Sequence, residues 1–156
     1  MASPNHYTYN TPIGKVTIES DGAAISRLVP GAVKLDGTCM ATPLTNQAAN
    51  ELQEYLGGSR RYFDVPLAPA GTEFQRAVWA EICDIPYGST RTYAQVAEAV
   101  GSPNAFRAVG MAANRNPLPV FVPCHRVVGK GGRLVGYALG LEAKKYLLDL
   151  EKRVSS

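Results

Sequence analysis

Near the end of this 156-residue chain, an apolar run Val120-Phe121-Val122-Pro123 delivers Cys124, His125 and Arg126 in succession. A thiol is a weak nucleophile until it loses its proton, and a free pKa of about 8.5 leaves it mostly protonated at neutral pH. An imidazole or guanidinium beside it favours the thiolate, which is how Cys/His nucleophilic sites work. The apolar run reads as a strand ending at Pro123. Adjacent strand residues face opposite ways, so contact between Cys124 and His125 needs a turn or a bridging water. From these residues alone, a nucleophile and an inert buried cysteine beside a structural histidine both stay open. Metal ligation fits poorly. Three cysteines (Cys39, Cys83, Cys124) and two histidines (His6, His125) show no C-x₂-C or H-x₃-H spacing. No metal and no cofactor is expected.

The odd cysteine count argues against a disulfide framework and for a reducing, intracellular setting, the cytoplasm in a prokaryote or the nucleus in a eukaryote. With 46% hydrophobic and 19% charged residues the chain can bury a core, which excludes a wholly disordered protein. No apolar run approaches ~20 residues, so no membrane span is expected, and the N-terminus lacks the pattern of a signal peptide. The formal charge is only +3, but its distribution is uneven. Residues 1–70 carry a net of −1 and residues 71–156 a net of +4. Within residues 91–133, Arg91, Arg107, Arg115, Arg126, Lys130 and Arg133 face a single acid, Glu98. Such a cluster is either a solvated face or a surface for phosphates.

The elements that must position these residues divide near Val65–Gly71, a Pro/Gly-rich stretch. The reading is α+β: a small N-terminal sheet-plus-helix domain over residues 1–70, then a mainly helical C-terminal domain with a helix-turn-helix over residues 71–156. In the first part, Lys15–Glu19 alternates like a strand, Ala24–Val29 can pair with it, and Phe63–Leu67 reads as a short edge strand. A helix is expected over Thr45–Leu56, stopped by Gly57-Gly58. In the second part, Phe74, Val78 and Ile82 repeat at four-residue spacing, predicting a helix from Thr72 to Ile82 with Thr72 as its cap. A short helix follows over Tyr93–Val100, broken by Gly101-Ser102-Pro103. Another, capped by Asn104, runs to Asn114. Two short helices joined by a Gly-containing turn have the outline of a helix-turn-helix. Arg107 stands in the first turns of its second helix, among small residues such as Ala105, Ala108 and Gly110. Cys39 and Cys83 are expected as small packing residues.

From Gly71 to Glu151 the chain resembles the catalytic domain of the O6-alkylguanine-DNA alkyltransferases, the methylated-DNA–protein-cysteine methyltransferase family. The resemblance rests on Gly71-Thr72, Phe74-Gln75, Val78-Trp79, Ile85-Pro86-Tyr87-Gly88, Thr92-Tyr93 and Arg107-Ala108-Val109-Gly110. It continues through Asn116-Pro117, Val122-Pro123-Cys124-His125-Arg126-Val127-Val128, Gly136-Tyr137, and Leu147-Leu148 with Glu151. It implies direct DNA repair: O6-alkylguanine is flipped out of the duplex, and its alkyl group moves irreversibly to Cys124 in a single turnover. His125 would take the thiol proton through a water, Glu151 would hold the imidazole, and Tyr93 would donate a proton toward guanine. Asn116 would brace the turn before the active-site strand. Carbonyls of Cys124 and Val127 would read the guanine amino group, while Tyr137, Ala138 and Leu139 line the pocket. Arg107 would fill the place of the departed base, with Ala105, Phe106 and Ala108 beside it in the minor groove. The basic cluster at 91–133 then becomes a phosphate-facing surface.

The implied partner is double-stranded DNA carrying O6-alkylguanine, with O4-alkylthymine as a further candidate lesion and no membrane. A monomer is expected in solution, with cooperative binding on DNA left open. Three departures from the family pattern matter. Phe106 replaces a small residue beside the arginine. Ala138-Leu139-Gly140 replaces a small residue followed by two glycines, adding bulk at the pocket wall. The N-terminal half offers only His6 and Cys39 where some relatives bind zinc, so no zinc is expected. The alternative function is a non-catalytic module that binds alkylated DNA and flags it; Cys124 argues against it.

Overall fold

The computed structural model describes residues 4–156. The chain is α+β and divides into two compact units, Met1–Ala70 and Gly71–Ser156.

The first unit is a four-stranded sheet backed by one helix. Strands β1 (Asn5–Thr11), β2 (Gly14–Ser20), β3 (Ile25–Pro30) and β4 (Thr38–Cys39) lie in the order β3-β2-β1-β4. β2 pairs antiparallel with both β1 and β3, while β4 runs parallel to β1. Thus the two strands expected from alternation are present and paired, and β1 and β4 join them. β1 escapes a hydrophobic pattern search because its residues are mostly polar, Asn-His-Tyr-Thr-Tyr-Asn-Thr. Helix α1 (Pro43–Leu56) starts two residues before the expected boundary. Pro43 fits the first turn, and Thr42 and Thr45 cap each other reciprocally. Val16, Ile18, Ile25 and Leu28 of the sheet and Ala48, Leu52 and Leu56 of α1 form the core.

Phe63–Leu67 does not form the expected strand; only Leu67 bridges to Ile25. Pro66 has no N–H to give to a ladder, and the two amides before it are drawn elsewhere. The buried Glu51 carboxylate accepts from the backbone N–H of Asp64 at 2.8 Å and of Val65 at 3.1 Å.

In the second unit, α2 (Glu73–Cys83), α3 (Tyr93–Ala99) and α4 (Phe106–Asn114) pack together ahead of α5 (Leu141–Ser155). Thr72 and Thr92 cap α2 and α3, each in a reciprocal box with a glutamine three residues on. Trp79 ties α2 to α4 by donating its indole N–H to the Ala112 carbonyl at 2.8 Å. Gly71 allows this placement, since a Cβ there would lie 2.6 Å from the Trp79 ring. Two-residue strands β5 (Arg91–Thr92) and β6 (Val127–Val128) pair in parallel and join the start of α3 to the segment after Cys124. Asn104 does not cap α4: the helix begins one residue later than that cap would allow, and Ala105 occupies the cap position without a side-chain bond. Cys39 and Cys83 are exposed rather than packed, Cys39 on the two-residue strand β4 and Cys83 at the last position of α2. Among the described residues, no helix is long and apolar enough to cross a membrane.

Replacing Glu51 by Ala strands two backbone amides, one of them fully buried. This is expected to lower the stability of the first unit by about 2–3 kcal/mol, read as a reduced urea midpoint with unchanged slope.

Candidate active site

The segment before the cysteine is a wound loop, not the expected strand. Only Pro119 and Val122 make a bridge there. Val120 adopts φ +76°, a left-handed conformation costly for a β-branched residue. Asn116 holds the loop closed: its side-chain oxygen accepts from Leu118 N–H at 2.8 Å, and its amide donates to the Val122 carbonyl at 3.0 Å. Pro123, at φ −80° and ψ 60°, centres an inverse γ-turn in which Cys124 N–H reaches the Val122 carbonyl at 2.7 Å. Cys124, His125 and Arg126 then form a single 3₁₀ turn. The two side chains therefore leave one turn rather than opposite faces of a strand, and the step between them still needs a bridging water.

Cys124 is 2% exposed. Burial pushes its thiol well above the ordinary cysteine range, and two influences oppose this. One is the Asn116 amide, which donates to Sγ at 3.2 Å; the other is the charge of Lys144. At rest the sulfur is a neutral thiol, so its proton must be removed as it reacts.

His125 Nε2 and Glu151 Oε2 are 2.7 Å apart, both residues buried. With Nε2–H donating to the carboxylate, Nδ1 is left as the basic nitrogen of the ring. Burial lowers the His125 pKa despite the pull of Glu151. Burial alone would raise Glu151, yet hydrogen bonds and charge from His125 and Arg126 hold it well below the usual carboxylate range. Arg126 grips it with two bonds, Nε to Oε1 at 2.8 Å and Nη2 to Oε2 at 2.9 Å, and gives Nη1 to the Ile85 carbonyl at 2.8 Å. Gly88 N–H adds a fourth donor at 3.0 Å. A side chain at Gly88 would collide with Ser155, and φ is +80° there. Arg126 thus leaves the basic surface expected for residues 91–133: it points inward, its charge consumed by Glu151. Arg107, Arg115, Lys130 and Arg133 remain exposed.

Tyr93, at the start of α3, reaches the site through Lys144. The buried ammonium donates to the Val127 carbonyl at 2.6 Å, the Gly136 carbonyl at 2.9 Å and the Tyr93 hydroxyl at 3.4 Å. Burial pulls the Lys144 pKa down to about 8, and only a thiolate at Cys124 would oppose this. Because Lys144 donates to the phenol oxygen, the Tyr93 proton points away from it. Burial raises the Tyr93 pKa, and a thiolate at Cys124 would raise it further. The Tyr137 ring stands edge-on to His125, centroids 6.2 Å apart, and burial drives its hydroxyl well above the ordinary tyrosine value. Ala138 is exposed and Leu139 half-buried on the turn that leads into α5. Tyr93 and Phe106 share the lining of a cavity of about 540 Å³ with Lys130, Arg133 and Val135. Ala105 is half-buried, while Phe106, Arg107 and Ala108 are exposed at the start of α4.

The structure thus gathers Cys124, His125, Glu151, Asn116, Tyr137, Val127 and Tyr93 in one unit, and holds the α4 residues on its surface. Three participants were missed: Arg126 as a partner of Glu151, Gly88 and Lys144. Lys144 was findable, since it shares the 3-4 spacing of the buried stripe Leu147 and Glu151 on α5. Among the described residues, no group of three or more His, Cys, Asp or Glu is placed to hold a metal.

The family model for the DNA-binding domain of 6-O-methylguanine DNA methyltransferase matches residues 73–153. A methylated-DNA–protein-cysteine methyltransferase of Methanosarcina barkeri is 53% identical over 68% of this chain and 67% of its own length. The corresponding protein of Methanosarcina acetivorans is 44% identical over 92% of this chain and 95% of its own. Among solved structures, Mycobacterium tuberculosis OGT in complex with DNA superposes with a TM-score of 0.89 at 38% identity, covering 96% of this chain and 94% of that one. The chain belongs to the 6-O-methylguanine DNA methyltransferase family.

Both coupled pKa shifts make the folded state acid-sensitive. The unfolded chain takes up a proton at histidine near pH 6.5 and at glutamate near pH 4.3, where the folded site resists both. Stability is fully present above these values and is lost as pH falls through them. Urea midpoints are expected to drop from pH 7 to pH 5 and again to pH 4, with His125→Asn flattening the first step.

Proposed function

We propose that this chain repairs DNA by moving an alkyl group from O6 of guanine to Sγ of Cys124. The observation that carries the reading is the buried Cys124 thiol held by Asn116 in the same 3₁₀ turn as a histidine bonded to the buried Glu151 carboxylate. In the proposed step, sulfur attacks the alkyl carbon in line with the C–O6 bond. The S–C bond forms as C–O6 breaks, and the electron pair stays on guanine. The thiol proton passes through a bridging water to Nδ1 of His125, whose imidazolium is stabilised by Glu151. Guanine gains a proton from Tyr93, so protons lost and gained balance. Lys144 holds the phenol and eases charge there. The product is a thioether that nothing in the site can cleave, so each molecule acts once.

A buried thiol cannot reach O6 in a stacked pair, so the lesion must leave the duplex. Flipping costs a few kcal/mol, less for a poorly paired base. In this reading α3 and α4 form the helix-turn-helix, and Arg107 fills the vacated position. Ala105 and Ala108 keep the helix thin enough for a narrow groove, and the remaining exposed cations meet phosphates. Carbonyls of Cys124 and Val127 contact the base; that of Val127 already accepts from Lys144 and has one lone pair left for it. Tyr137 and Ala138 complete the pocket, and Leu139 narrows it. The partner is double-stranded DNA bearing O6-alkylguanine, with O4-alkylthymine a second candidate, met by a monomer inside the cell. Residues 71–156 carry both DNA binding and transfer.

Intact-protein mass after mixing with an O6-methylguanine duplex is expected to rise by one methylene, and Cys124→Ser abolishes the gain. An unchanged mass with DNA still bound would instead mark a lesion-binding module. Because of Leu139, O6-benzylguanine is expected to react much more slowly than the methyl lesion, with Leu139→Gly narrowing the gap. Equal rates of mass gain for both in the native chain would reject this assignment.

A further inference from the structure

Phe106 is an apolar ring in an unusual place. It occupies the first position of α4 and is 46% exposed, next to Arg107. Its ring forms one wall of the cavity of about 540 Å³ that also holds Tyr93, with Val135, itself 56% exposed, on the same rim. Lys130 and Arg133 line the cavity too. The Arg107 guanidinium lies 5.9 Å from the Phe106 ring centroid, within range of a cation–π contact. An exposed apolar wall costs solubility and adds nothing to the core. Surrounded by three cations, it suits an occupant that is flat and apolar on its faces and anionic along its edge. A nucleobase still joined to its phosphates has that chemistry, whereas a purely apolar protein segment would leave Arg107, Lys130 and Arg133 unmatched.

We propose that Phe106 is a stacking wedge: its ring covers the face of the base neighbouring the extruded nucleotide, while Arg107 reaches into the gap. This deepens the repair reading and rests on it. The ring supplies contact with an unstacked base that no phosphate contact provides, and it is indifferent to base identity. Arg107, laid across the ring in the free protein, is already held beside the site where it is needed. Val135 adds a second apolar side chain to the lining of the same cavity.

The test compares the native chain with Phe106→Ala, Phe106→Leu and Phe106→Tyr. Binding to an O6-methylguanine duplex is followed by fluorescence anisotropy across a salt series, and transfer from the free base O6-methylguanine by intact mass. Phe106→Ala is expected to weaken duplex binding on the order of tenfold, as loss of one stacked base predicts. The slope of log affinity against log salt stays unchanged because no phosphate contact is lost. Phe106→Tyr restores affinity, Phe106→Leu does not, and in Phe106→Ala any loss of the free-base reaction stays well below the loss of duplex binding. Unchanged duplex affinity in Phe106→Ala, full rescue by Leu, or an equal loss of free-base reaction overturns the wedge. Failure of the native chain to gain a methyl group from the duplex sinks the repair reading itself, a result distinct from any of these.

Discussion

The Glu151 carboxylate is the point on which the second unit turns. It collects His125 Nε2, two nitrogens of Arg126 and the Gly88 amide, and so ties α5 to the 3₁₀ turn and to the Ile85–Gly88 turn. A buried carboxylate is costly unless its charge is met and its lone pairs are filled. Here both conditions hold, and the outcome is an anion that stays ionised where burial alone would neutralise it. The imidazole is fixed in one tautomer, and the cysteine, one residue away, inherits its position from the same turn. Removing Arg126 would leave that anion uncompensated, so the arginine supports the chemistry without approaching the sulfur.

A second constraint works in the opposite direction. Val120 sits in a left-handed conformation, and the loop around it is held only because Asn116 satisfies three separate groups: Leu118 N–H, the Val122 carbonyl and Cys124 Sγ. A strand in this place would point the thiol and the imidazole apart. The strained loop converts neighbours in sequence into neighbours on one turn, with the proline ring fixing the last bend.

How much of this was legible beforehand follows from where each feature stores its information. Helix α2 shows in spacing and in its Thr72 cap, α1 and α3 show in the Gly-containing stops that end them, and the Cys124–Arg126 cluster shows in residue type. Glu151 and Asn116 come from the resemblance; in the structure Glu151 bonds His125, and Asn116 bonds the Val122 carbonyl and Cys124 Sγ. The apolar run Val120–Val122 has the pattern of a strand without being one, because hydrophobicity reports burial and is silent on φ. Arg126 counts toward a basic surface in sequence yet points inward, because a charge count carries no direction. The Phe63–Leu67 strand failed through a competitor far away in the chain, Glu51, which no local pattern reveals. β1 was missed because polar side chains on a sheet face weaken alternation.

Burial of Cys124 also bears on how long such a molecule keeps. On the proposed chemistry each chain carries a single charge of reagent, and a thiol spent on peroxide is as lost as one spent on guanine. Oxidation proceeds through exposed thiolate, and Cys124 is neither exposed nor ionised at rest. Cys39 and Cys83 are both more exposed than Cys124, although burial still raises the Cys83 pKa. The working stock of reactive protein is therefore set by the folded population, and its shelf life by the rate at which the second unit opens.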